Sequence, residues 1–170
     1  MSNEFINAVK KGNLLLMAQL SPKNIDDEVI ASASINGKSS AIMWLVEHGA
    51  NVDAQDGFPL ICSIRARNYH LIKYLLYNGA NVHVQDDLPI RIASQNGHLE
   101  IVELLLSYGA FADADDNYPI IVAASHGHYN IVKLLIKNGA DPYSRKGEAI
   151  IGAKLGGHDV IIDLIESMPN

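Results

Sequence analysis

A single cysteine, Cys62, in 170 residues excludes an internal disulfide. Basic residues are the minority, 13 against 19 acidic, and the net charge of −6 disfavours broad binding to phosphate backbones or anionic lipid. No apolar run approaches the roughly 18 residues that would cross a membrane. The opening MSNEFINAVKKGN carries its positive charges after a short apolar stretch, the reverse of a secretory signal. These absences predict an intracellular, cytoplasmic protein that binds neither nucleic acid nor membrane.

What the chain has is a period. Gly49-Ala50, Gly79-Ala80, Gly109-Ala110 and Gly139-Ala140 follow one another at 30-residue steps, each after an apolar helix-like run. A fixed step in this range marks one supersecondary unit stacked on copies of itself. With 48% hydrophobic residues the stack has a substantial core, read as one array over 1–170. Each unit opens with a proline (Pro59, Pro89, Pro119), suited to a helix's first turn because its missing N–H has no partner there. About two turns later come Gly97-His98 or Gly127-His128, where a second helix is expected to start. In that helix Ile101, Val102, Leu105 and Leu106, repeated as Ile131, Val132, Leu135 and Ile136, form the buried stripe. The Gly-Ala glycine then closes the helix in a left-handed conformation, and about nine polar residues lead to the next proline.

The segment GHLEIVELLLSYGA with a preceding P-x-x-x-A-S resembles the ankyrin repeat, a helix–turn–helix followed by a β-hairpin-like loop. The resemblance covers nearly the whole chain and implies an all-α solenoid. It comprises a truncated N-terminal pair (1–24), repeats at 25–54, 55–84, 85–114 and 115–144, and a C-terminal capping repeat (145–170). The unit is three residues short of the family's usual length, and the loss falls in the loop, so trimmed hairpin tips are expected. In this the chain is similar to the ankyrin arrays of giant DNA viruses of amoebae. The family's T-P-L-H segment is also altered: Phe58, Leu88, Tyr118 and Glu148 stand at the threonine position, and Ile61, Arg91, Ile121 and Ile151 at the histidine position. The apolar substitutes either stack neighbouring tips for stability or form a partly exposed row for a partner. Solenoid ends need polar outer faces, and Glu166 at one end and Ser21 with Gln19 at the other are expected to supply them.

Catalytic chemistry finds no foothold. His98, His128 and His158 recur one repeat apart, on the order of 10 Å, the spacing of packed helices, and one metal ion cannot span that gap. The pair His126 and His128 straddles an inter-helix turn and is a weak ligand signal. Cys62 lies near positions that are alanine or valine in other units and reads as a small buried residue, not a nucleophile. The glycines of KLGGHD (154–159) lack the Lys-Ser/Thr of a phosphate loop. The protein is therefore expected to be no enzyme and to need no metal or cofactor.

The resemblance places partner binding on a concave face of loop tips and first helices. Carried onto this chain, the tip residues are Asp56, Phe58, Asp86, Asp87, Leu88, Asp115, Asp116, Asn117, Tyr118, Arg145 and Lys146. The helix residues are Arg65, Arg91, Gln95, Asn96 and His126. This face has an acidic, partly apolar middle that turns basic at Arg145 and Lys146, matching a protein partner with a basic and apolar surface. Reversing Asp86, Asp87, Asp115 and Asp116 to lysine is expected to abolish binding with little change in melting temperature. The chain is expected to be a monomer. The alternative is a structural or self-associating protein that uses an apolar patch at Met43 and Trp44, should these not belong to the core.

Overall fold

The computed structural model describes residues 2–22 and 24–168. Among these there are twelve helices and no strand: α1 (Asn3–Lys11), α2 (Leu14–Leu20), α3 (Asp27–Ile35), α4 (Ser39–Glu47), α5 (Ala54–Arg65), α6 (Tyr69–Tyr77), α7 (Val84–Gln95), α8 (Leu99–Ser107), α9 (Ala114–Ser125), α10 (Tyr129–Lys137), α11 (Ser144–Gly156) and α12 (Asp159–Glu166). The fold is the expected all-α repeat architecture. It divides into two compact units, one up to Gln85 and one from Asp86 onward.

In the first unit, α1 is capped by Ser2, whose Oγ accepts the Phe5 N–H, and α2 by Asn13, whose Oδ1 accepts the Leu16 N–H. Phe5, Met17, Ile30, Ile42, Leu45, Leu60, Ile64, Ile72 and Leu75 are its fully buried large side chains. In the second, Ile90, Val102, Leu105, Ile120, Val132, Leu135 and Ile165 hold the same place. Each such side chain contributes about 1.5–3 kcal/mol. The predicted stripe is buried at Ile101, Val102, Leu105, Ile131, Val132 and Leu135, while Leu106 and Ile136 are only half-buried. Each Gly-Ala pair closes its helix as expected. The Ala110 N–H reaches back to Leu105 O at 3.0 Å, and the glycine before it has φ 93°.

The trimmed loops are not hairpins. Gln55, Asp56 and Gly57 have φ of 50°, 55° and 76°, and the same run of positive φ recurs at 85–87, 115–117 and 145–147. Each run is one turn of left-handed helix, closed where Gly57 N–H meets Asp53 O at 3.0 Å and Asn117 N–H meets Asp113 O at 2.9 Å. With three residues fewer, no length remains for two extended arms, and the chain reverses within a single turn. Asp, Asn and Gly, the residues that enter this region most readily, dominate the positions. The proline follows, in the first turn of the right-handed helix, as expected.

The last helix pair is less polar than expected. Glu166 is exposed and pairs with Lys154 at 3.4 Å, but Ile151, Leu155 and Val160 are 52%, 86% and 66% exposed. Ile121, one repeat earlier, is buried in a unit where α11 packs on α9. Ile151 keeps the repeat's apolar residue, half exposed where Ile121 is buried.

Candidate partner-binding site

In the second unit, each left-handed turn projects its side chains beside the start of the following first helix. There Asp86, Asp115, Asp116, Tyr118 and Arg145 of the predicted tips join Arg91 in one cluster. The Arg91 guanidinium lies over the Tyr118 ring, 4.9 Å from its centroid, and that of Arg145 lies 5.9 Å from the same ring. The Asp115 carboxylate bridges them, 3.2 Å from Arg91 Nη2 and 3.3 Å from Arg145 Nη2. Asp116 Oδ2 accepts from Arg145 Nε at 3.1 Å, Asp115 O from Arg145 Nη2 at 2.6 Å, and Asp86 O from Arg91 Nη1 at 3.3 Å. Both arginines lie 27 residues from Tyr118, one before and one after it.

This cluster changes the expected electrostatics. Asp115 and Asp116 are matched by Arg91 and Arg145, so the acidic middle and the basic end partly merge into a single neutral network within the second unit. Turning Asp115 and Asp116 into lysine removes both carboxylate partners of Arg145 and that of Arg91. The variant is expected to lose some stability, against the expectation of little change in melting temperature. Asn117 is also misplaced on a partner surface: it is only 8% exposed, and its Oδ1 accepts the Asp141 N–H at 2.7 Å. Leu88 and Tyr118 are half-buried, as are Asp87, Arg91 and Arg145, while Asp86, Gln95, Asn96, Asp115, Asp116, His126 and Lys146 are exposed. In the first unit, Asp56 and Arg65 are exposed and Phe58 is half-buried. Gln85 Nε2 donates to Asp56 O at 3.0 Å, tying one turn to the next.

His128 and His158 are structural ties. His98, His128 and His158 stand immediately before α8, α10 and α12. His128 Nε2 donates to Gln95 O at 3.0 Å and His158 Nε2 to Ser125 O at 3.2 Å, so each ring holds its turn to the end of the preceding first helix. A Cβ on Gly97 would come within 2.6 Å of the His128 ring, and one on Gly127 within 2.7 Å of the His158 ring. The glycine thus makes room for the next repeat's imidazole as well as for its own φ of 73° or 77°. In the first unit Asn68 takes the histidine's place. Its Nδ2 donates to Ser39 Oγ at 2.8 Å, and its Oδ1 accepts the Leu71 N–H. Arg67, in the glycine position, keeps the left-handed geometry at φ 52°. His126 Nδ1 bonds Val122 O at 2.8 Å and its ring stacks 6.0 Å from that of His128.

Cys62 is half-buried, not buried as expected, although Ile92 and Val122 at the same place in later repeats are buried. Burial pushes its thiol above the ordinary 9.0, opposed by the Arg65 charge. Met43 and Trp44 are half-buried. The Trp44 ring stacks on His48 at 3.7 Å and tilts against Phe5 at 6.2 Å, and Met43 O accepts the Tyr74 hydroxyl at 3.1 Å. Trp44 is therefore neither fully in the core nor an open patch. Among the described residues no group of three histidine, cysteine or acidic side chains is placed to hold a metal ion. No described helix is long and apolar enough to cross a membrane.

The sequence signal for the Tyr118 cluster was present but spread across three repeats, and only the left-handed turns bring its members together. Asp53 gave no signal, although its carboxylate accepts the Asn81 N–H at 2.9 and 3.2 Å. Among curated proteins none matches the chain. The family model described as ankyrin repeats (3 copies) matches residues 5–86 and 87–146. With most of its length matched, and with paired helices joined by left-handed turns, the chain belongs to the ankyrin repeat family.

Proposed function

We propose that the protein captures a protein partner on the side formed by the left-handed turns and first helices, as an intracellular adaptor or inhibitor. Ankyrin repeats are generally non-enzymatic modules of protein–protein interaction. The observation that carries the reading further is the Tyr118 cluster. Two guanidiniums held over one ring and bridged by a carboxylate form a preordered platform, which limits the side-chain entropy a partner must overcome. Around it Asp86, Gln95, Asn96, His126 and Lys146 are exposed and supply the polar contacts. Asp56, Phe58 and Arg65 make the corresponding set in the first unit. The partner is a protein with apolar and basic groups, the latter meeting Asp86 while Asp115 and Asp116 stay with their arginines. The trimmed unit, similar to those of giant-virus arrays, fits a role in holding a host protein in the host's cytoplasm.

Affinity capture from cell lysate with the wild type and with an Asn96→Arg/His126→Glu variant tests this. A protein retained by the wild type and lost by the variant is the expected result, with equal thermal stability of the two baits. Identical captured sets would sink the proposal.

A further inference from the structure

On the other helix of each repeat the two units treat one feature differently. In the first unit, Tyr74 of α6 reaches back across the groove to α4 and donates its hydroxyl to Met43 O. Thirty and sixty residues on, its place is taken by Leu104 and Leu134, and Met43's by Lys73 and Glu103. Leu134 of α10 stands to Glu103 of α8 in sequence as Tyr74 does to Met43, 31 residues apart in both pairs. Leucine is shorter than tyrosine and has no hydroxyl. Between α8 and α10 a groove of about 250 Å³ stays open, lined by Leu99, Glu103, Asn130, Lys133, Leu134 and Lys137.

The groove's floor is apolar, from half-buried Leu99 and Leu134. Lys133 and Lys137, one helical turn apart on α10, are exposed and make no ion pair among the described residues, and the same holds for Glu103 on the opposite wall. In a chain of net charge −6, two adjacent unpaired lysines beside an apolar floor form a local site for negative charge. We propose that the α8–α10 groove binds a partner segment presenting an aromatic side chain beside an acidic one, the ring lying where Tyr74 lies in the α4–α6 groove. The phenol or phenyl ring covers Leu99 and Leu134, a tyrosine hydroxyl donates to Glu103 O, and the flanking carboxylate pairs with Lys133 or Lys137. This surface is separate from the turn and first-helix side assigned above and stands or falls without it.

Fluorescence anisotropy with three labelled short peptides, of Glu-Tyr-Glu, Glu-Ala-Glu and Lys-Tyr-Lys core, tests the proposal on the full chain. Saturable binding is expected for Glu-Tyr-Glu alone. Lys133→Glu/Lys137→Glu should weaken it by up to about tenfold, as expected for two exposed ion pairs. Leu134→Tyr, which gives α10 the side chain that α6 already carries, should fill the groove and weaken binding by about tenfold or more. No saturable binding of Glu-Tyr-Glu overturns the proposal. So does equal binding of Glu-Ala-Glu or Lys-Tyr-Lys, or binding indifferent to both variants.

Discussion

At the scale of the residue, the inter-helix glycines show how one position serves two repeats. Gly97→Ala forces a Cβ both into a left-handed conformation and into the His128 ring, whereas Gly139→Ala, at φ 98°, meets nothing within 4 Å. Conformation alone costs about 1–2 kcal/mol. Urea denaturation should therefore show Gly97→Ala as the more destabilising of the two by about 1 kcal/mol or more, through displacement of the imidazole from Gln95 O. Equal losses would mean that the histidine tie contributes nothing. Cys62 and Tyr74 carry a pH prediction of one sign. Burial raises both pKa values, with Glu47 adding to the effect at Tyr74, so the folded state favours the neutral, protonated forms. Their contribution to stability is complete below the ordinary values of 9.0 and 10.0 and is lost as pH rises through the higher folded values. Thiol labelling at pH 8 should be slower in the native chain than in urea, and native labelling as fast as unfolded would contradict the burial.

At the scale of the element, the left-handed turn replaces the hairpin and sets where the tip side chains go. Its three residues sit at positive φ at a conformational cost of about 1–2 kcal/mol each for non-glycine residues, less for Asp and Asn. The bonds made by its side chains offset some of that. A double-mutant cycle on Asp115→Ala and Arg145→Ala, read by urea denaturation at low salt, should give a coupling of about 0.5–1 kcal/mol that shrinks in 1 M salt. A coupling of zero at low salt would reduce the cluster to a surface pairing without energetic weight. The helices, their apolar stripe, the proline starts and the Gly-Ala closures were all legible in the sequence, because helical period and cap chemistry are local signals. The left-handed turns were not. Q-D-G, Q-D-D, D-D-N and R-K-G share no strict pattern, and only Asp, Asn and Gly hint at positive φ.

At the scale of the whole molecule, the side proposed for binding reads from the sequence as a row of positions but not as a charge distribution. Arg91, Asp115, Asp116 and Arg145 read as accessible charges in a linear sequence, yet they neutralise one another once the turns bring residues of successive repeats within 3.3 Å. Asn117 read as a tip residue and is buried because its amide oxygen accepts from the next connection. The exposed remainder carries the functional account. The most direct test is a ¹⁵N NMR titration of the chain with its captured, unlabelled protein partner. The account predicts amide shifts at Asp86, Gln95, Asn96, His126 and Lys146, whether or not the separate α8–α10 groove is engaged. Shifts confined to α8 and α10, with the turn and first-helix amides unchanged, would contradict it.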